Sequence, residues 1–215
     1  MADRSRAKRS YLAPGREAAA AETRRRLLEA AKAQFESQGW AGTKLSSVAD
    51  GAGVSLKTLE AVFGTKAALL QSVVNFAIRG DAGDLPLSRS DPFRQMEETA
   101  SATTLLDLHA RTVTGVSERS ASLAWTVEQA AAASPPVSEL WQRMTRNRRD
   151  GVKWATRTLL RKPDAHPGLK RRFVEETFWI ALDWNTYRAL VNGYGSTPRT
   201  FERWLRAYYK HTLGS

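Results

Sequence analysis

The sequence predicts an all-α chain in two parts: a set of short helices, then, after about residue 80, a larger helical region. Three observations carry this. Apolar residues recur at three- and four-residue spacing through most of the chain, the period of an amphipathic helix. No alternating apolar and polar run reaches useful strand length, and no fixed-period repeat is present. Glycine, proline, serine and threonine fall where they start and stop helices.

Residues 1–20 mix Arg, Lys, Ser, Pro, Gly and Ala without apolar periodicity and read as a flexible basic arm. A helix is expected from Glu22, with Leu27, Leu28, Ala31 and Phe35 on one face and a glycine stop at Gly39. Thr43 is placed to cap the next helix, in which Leu45, Val48, Ala49 and Ala52 share a face. Gly53 suits the left-handed turn that reverses the chain. Ser55 is placed to cap a third helix, with Leu59, Val62 and Phe63 inward and Gly64 at its end. Thr65 is placed to cap a fourth, with Leu69, Leu70, Val73, Val74 and Ile78 inward. The stretch GDAGDLPLSRSDP reads as a loop, which sets a domain boundary near residue 80. Beyond it the pattern predicts helices near 92–103, 104–116, 119–133, 136–161, 168–182 and 198–212, with a short one near 186–192. The serine, threonine or aspartate before proline in SDP, SPP and TP supplies helix starts.

Composition narrows the function. The 215 residues contain no cysteine, which excludes disulfides and thiolate chemistry. No apolar run approaches the roughly 18 residues of a membrane span, and the N-terminus has no apolar signal-peptide core. No membrane partner is expected, and the expected location is the cytoplasm. Lys and Arg number 33 against 22 Asp and Glu, a net charge of +11 that favours a polyanionic partner. Residues 1–80 carry 13 basic and 7 acidic residues, the remainder 20 and 15, so the first third is the more basic per residue.

Two short helices joined by a glycine turn make a helix-turn-helix, in which the first helix braces the second against base edges in the major groove of DNA. Ser55, Leu56, Lys57, Thr58 and Glu60 are then free to face outward. Thr43 and Lys44 lie at one helix N-terminus and Lys66 at another, where backbone N–H groups favour a phosphate oxygen. Such triplets of short helices also occur in domains that bind no DNA.

The stretch TRRRLLEAAKAQFESQGWAGTKLSSVADGAGVSLKTLEAVFGTKAALL resembles the DNA-binding domain of TetR-family transcriptional regulators. The matching features are the first helix LLEAAKAQFESQGW, Thr43, VADGAGVS, Thr58-Leu59, Phe63, and Lys66 with Leu69 and Leu70, in register over about residues 22–70. The resemblance implies a homodimer of all-helical subunits, with the helix-turn-helix domain at 21–80 and a larger C-terminal domain at 81–215 that binds a small molecule and forms the dimer. It places Thr43, Lys44 and Lys66 against phosphates, and Ser55 to Thr58 at the start of the recognition helix. Lys57 would meet guanine and Leu56 a thymine methyl. Two positions depart from the family pattern: Glu60 stands where Tyr is common, and Val62 where an aromatic residue or His is common. A carboxylate repels phosphate, so Glu60 either accepts from a cytosine amino group or points away.

The second region carries no catalytic signature. His109, His166 and His211 are far apart and lack ligand-spaced partners; no Gly-rich phosphate loop or GxSxG turn is present. Neither enzymatic activity, nor a cofactor, nor a metal site is expected. Six of the seven tryptophans lie here. His109, Trp125, Gln129, Trp141, Met144 and Trp154, from three neighbouring expected helices, are candidates to line an effector cavity; filling the core is the other reading of each. Residues 143–172 hold 11 basic and 2 acidic residues: a solvated face, or one that attracts an acidic effector or a second stretch of nucleic acid. Leu169, Phe173 and Ile180 follow a helical stripe, as do Phe201, Trp204, Leu205 and Tyr208 with Tyr209 on the last helix. The chain's end resembles that of TetR members whose last two long helices pair as a four-helix bundle, which makes Leu169, Phe173, Ile180, Phe201, Trp204, Leu205 and Tyr208 the candidate dimer interface.

The expected function is therefore a ligand-responsive transcriptional regulator, a repressor that binds a palindromic operator on double-stranded DNA as a dimer and is released by a small molecule. The alternative is a TetR-shaped helical protein that has lost DNA binding and serves as a small-molecule or protein-interaction module. A helical enzyme or carrier with an incidental helix-turn-helix would need an acid/base or metal constellation, and the sequence offers none.

Overall fold

A computed structural model describes residues 3–80 and 89–214, with side chains from residue 15 onward. The described residues are helical, with no strand. The chain divides into two compact units, residues 1–76 and 77–215; the division falls within a helix, a few residues before the boundary drawn from the sequence. Residues 81–88, most of the loop expected from GDAGDLPLSRSDP, lie outside the described residues.

In the first unit α1 spans Asp3–Gly42, α2 Leu45–Gly51 and α3 Leu56–Phe63, and α4 begins at Lys66 and runs to Arg79. The helix expected from Glu22 starts at Asp3 instead, through most of the segment read as an arm. Residues 15–20 are exposed, so propensity holds this stretch helical: the run of four alanines after Glu17 consists of the best helix former. Regular geometry in α1 breaks at Gly39, where φ is 63°; only glycine takes this conformation without strain. Leu27, Leu28, Ala31 and Phe35 meet Val48, Ala49, Leu59, Leu69, Leu70 and Val73 in one core, each at most 2 % exposed. Burying each Leu, Val or Phe contributes about 1.5–3 kcal/mol.

In the second unit α5 spans Asp91–Glu98, α6 Ala102–Ala131, α7 Pro135–Leu159, α8 Arg171–Ala181, α9 Trp184–Arg188 and α10 Pro198–Leu213. A π-helical turn, Ala189–Gly193, follows α9. α6 is the central shaft, packed by α5, α7, α9 and α10, while α8 lies on α7 and α10. The two helices expected over 104–116 and 119–133 are one: buried residues run the length of α6, and continuous packing outweighs the cost of one interior glycine, Gly115. Arg119 of α6 donates to the carbonyl oxygens of Ala77 and Ile78, at 2.9 and 3.3 Å, satisfying late carbonyls of α4. Among the described residues no single helix is long and apolar enough to cross a membrane.

Candidate functional site

The turn between α2 and α3 is built by local rules. Gly53, at φ 65°, is the left-handed residue after α2. Its N–H donates to Asp50 O and that of Val54 to Ala49 O, both at 3.0 Å, the paired closure of a Schellman motif. Ser55 then caps α3: its Oγ accepts from Thr58 N at 3.1 Å and lies 2.8 Å from Thr58 Oγ1. Thr65 caps α4 in the same way, accepting from Ala68 N.

This leaves α3 with a buried side, Leu59 and Phe63, and an open side. Leu56 is 40 % exposed, and Lys57 and Glu60 are also exposed. At about 100° per residue these three fall within roughly 100° of arc. Ser55 is exposed and Thr58 partly covered, consistent with their mutual hydrogen bond. Val62, expected inward, is instead 39 % exposed: with Leu59 and Phe63 seated, it lies on the flank of the helix.

One helix start differs from expectation. Thr43 does not cap α2; it is 2 % exposed and its hydroxyl donates to Gly39 O at 2.7 Å. It braces the end of α1, and Lys44, exposed, occupies the N-cap position without a side-chain cap bond. Lys66 is partly covered, with Nζ 4.6 Å from the centre of the Trp40 ring. That loss of water lowers its pKa from the ordinary lysine value. Trp40 as the shelf for Lys66 was not singled out in the sequence; the aromatic directly after the Gly39 stop is the signal for it. Arg24, whose guanidinium lies 4.7 Å from the Phe63 ring centre, is a second cation missed there.

The six candidate effector residues do not converge. His109 is buried, its Nδ1 2.8 Å from Tyr209 Oη and its ring 4.7 Å from that of Phe178. Desolvation pulls its pKa down to about 3, so the imidazole is neutral. Trp125 is 40 % exposed and stacked under the Arg188 guanidinium at 3.9 Å; Gln129, one turn on, is exposed. Trp141 faces Trp184 at 6.3 Å, and Met144 is buried. Trp154 turns the other way, to Phe93 at 4.6 Å, and donates from Nε1 to Glu97 Oε1 at 2.9 Å. A cleft of about 430 Å³ lies elsewhere, between residues 166–173 and the end of α10. Among the described residues no group of three or more His, Asp or Glu is arranged to hold a metal.

The candidate dimer residues separate into two sets. Phe173, Ile180 and Trp204 are 47, 49 and 37 % exposed, and Tyr208, half-buried, stacks on Trp204 with ring centres 5.5 Å apart. Leu169 is partly covered in the turn before α8. Phe201 and Leu205 are at most 1 % exposed and belong to the subunit's own core. With Tyr209 and Leu213 they form the inner stripe of α10, spaced four residues apart; Trp204 and Tyr208 form the adjacent outer one.

Residues 27–73 match the family model described as bacterial regulatory proteins, tetR family. No curated protein matches the chain. Solved structures share its fold at low identity. A putative TetR-family transcriptional regulator from Rhodococcus sp. is 16 % identical with a TM-score of 0.66, covering 89 % of this chain and 98 % of that one. A putative transcriptional regulator from Saccharomonospora viridis, solved in complex with choline, is 15 % identical with a TM-score of 0.67, covering 89 and 97 %. NalD of Pseudomonas aeruginosa, the secondary repressor of the MexAB-OprM multidrug efflux pump, is 21 % identical with a TM-score of 0.64, covering 89 and 96 %.

Proposed function

We propose, for a chain whose N-terminal domain is of the TetR family and whose fold is that of TetR-family transcriptional regulators, that it is a ligand-responsive repressor acting as a homodimer on a palindromic operator. The observation that carries this is the open side of α3: Leu56, Lys57 and Glu60 exposed at the start of a capped helix, behind a glycine-closed turn. In this reading Lys57 donates to guanine O6 or N7, Leu56 packs on a thymine methyl, and Glu60 accepts from a cytosine amino group. Lys44, Lys66 and the region around Thr43 approach phosphates, with the Lys66 ammonium set over the Trp40 ring.

Two copies would set their recognition helices about 34–36 Å apart, one per successive major groove. The exposed side chains of α8 and α10 supply an apolar face for pairing, and apolar cores are common in permanent interfaces. An effector that prefers a different dimer geometry by a few kcal/mol would release the operator. α4 is the covalent route for that change, since Lys66 lies in the first unit and Arg79 in the second. The choline complex of the Saccharomonospora viridis regulator supports a small-molecule effector of some kind.

The test is an electrophoretic shift with DNA flanking the chain's own gene, with and without candidate effectors. A retarded band is expected, and Lys57→Ala should weaken it by about 1–3 kcal/mol at one base position. If no flanking fragment is retarded even at low salt, and Lys57→Ala changes nothing, the chain instead serves as an interaction module without DNA binding.

A further inference from the structure

The basic stretch on α7 is a single stripe. Arg146, Arg149, Lys153 and Arg157 are all exposed and stand at i, i+3, i+7 and i+11. At about 100° and 1.5 Å per residue they span roughly 17 Å of helix within about 80° of arc. Arg161, exposed in the turn just past the helix, extends the row. The opposite side of α7 is buried through Val137, Leu140, Met144, Val152, Ala155 and Leu159, so the stripe is the helix's outward side.

Several surface arginines elsewhere are neutralised on their own helices. Arg25 pairs with Glu22 and Glu29, Arg94 with Asp91, Arg172 with Glu176 and Arg206 with Glu202. None of Arg146, Arg149, Lys153, Arg157 or Arg161 makes an ion pair or side-chain hydrogen bond among the described residues. Asp150 is the one acid on the stripe, against five cations. Arg149, Lys153 and Arg157 are successive i,i+4 like-charge neighbours, an arrangement that destabilises a helix. An anion from outside the chain removes that repulsion.

We propose that the α7 stripe is a second, sequence-independent contact for the phosphate backbone of duplex DNA. A row of charges with no apolar residue among its exposed members fits a polyanion rather than a protein, whose interfaces have an apolar centre. It also lacks the apolar residues by which a basic helix enters a membrane surface. Arginine, four of the five, presents a planar fork that meets phosphate oxygens in pairs. Phosphate contacts carry affinity without base specificity, so this site holds DNA while α3 does the reading. It stands on the stripe alone and does not need Lys57.

The test uses the full chain and fluorescence anisotropy on a mixed-sequence 40-base-pair duplex across a salt series. R146Q/R149Q/K153Q/R157Q should bind it at least tenfold more weakly at low salt. Its plot of log affinity against log salt should be shallower by about 3–4, because each phosphate no longer neutralised takes roughly 0.9 off the slope. R146K/R149K/R157K keeps the charge and should restore most of the slope, and circular dichroism should show all variants equally helical. Poly-glutamate and vesicles of mixed phosphatidylserine and phosphatidylcholine are the competing probes. An unchanged salt slope in the Gln variant overturns the proposal, and so does stripe-dependent binding to either competing probe but not to the duplex. The operator reading is judged separately. Lys57→Ala should lower the ratio of operator to mixed-sequence affinity and leave the salt slope near wild type, while the stripe variant should keep the ratio and change the slope.

Discussion

His109 illustrates how one buried polar side chain ties the second unit to pH. Burial among Tyr209 and Phe178 keeps the imidazole neutral, with its pKa pulled to about 3, against roughly 6.5 in the unfolded chain. Between those values the unfolded chain binds the proton and the folded one does not. Stability is therefore fully present above about pH 6.5 and falls as pH drops toward 3, by at most about 1.4 kcal/mol per pH unit for one proton. His109→Gln keeps a polar partner for the Tyr209 hydroxyl and cannot titrate. Urea unfolding at pH 7 and pH 4.5 should show a smaller acid loss for the variant than for the wild type; equal losses would place a titrating group other than His109 behind the effect.

At the scale of the element, the turn before α3 depends on backbone conformation more than on contact. A Cβ at Gly53 would meet Arg26 Nη1 at 3.7 Å, an ordinary distance. The cost of Gly53→Ala is thus the left-handed backbone itself, about 1–2 kcal/mol. Thermal unfolding should show the fall in midpoint, and operator affinity should drop because α3 loses its fixed angle to α2. Helix α10 makes the complementary point about side chains. Leu205→Ala removes a fully buried residue of its inner stripe and should cost about 2–5 kcal/mol in urea unfolding. Trp204, one residue away, is 37 % exposed, and Trp204→Ala should cost distinctly less.

For the whole molecule the deciding property is assembly. Phe173 and Ile180 stand on α8 two turns apart with about half their surface exposed, and the Trp204–Tyr208 stack lies on α10, a helix that α8 packs against. If this face pairs with a second copy, Phe173→Glu with Ile180→Lys should convert a sedimenting dimer to a monomer at micromolar concentration without loss of helicity. Operator binding should fall with it, because a single recognition helix reaches only one half-site. A wild-type chain that sediments as a monomer would remove the palindromic-operator reading.

The sequence by itself determined the helical class, the stops at Gly39, Gly53 and Gly64, the Ser55 cap and the open start of α3. Each of these is a local property: a glycine at positive φ or a serine three residues from its N–H acts within one turn of chain. Only the tertiary structure decided which half of a broad apolar face turns inward. Periodicity placed Phe201, Trp204, Leu205 and Tyr208 on neighbouring arcs of α10, but packing against α6 and α8 buried Phe201 and Leu205 and left Trp204 outside. The same non-local packing fused α6 across Gly115, and sent Trp154 to Phe93 while Trp141 went to Trp184. A helical repeat gives the direction of a side chain about its own axis; the partner it meets depends on where distant helices come to rest.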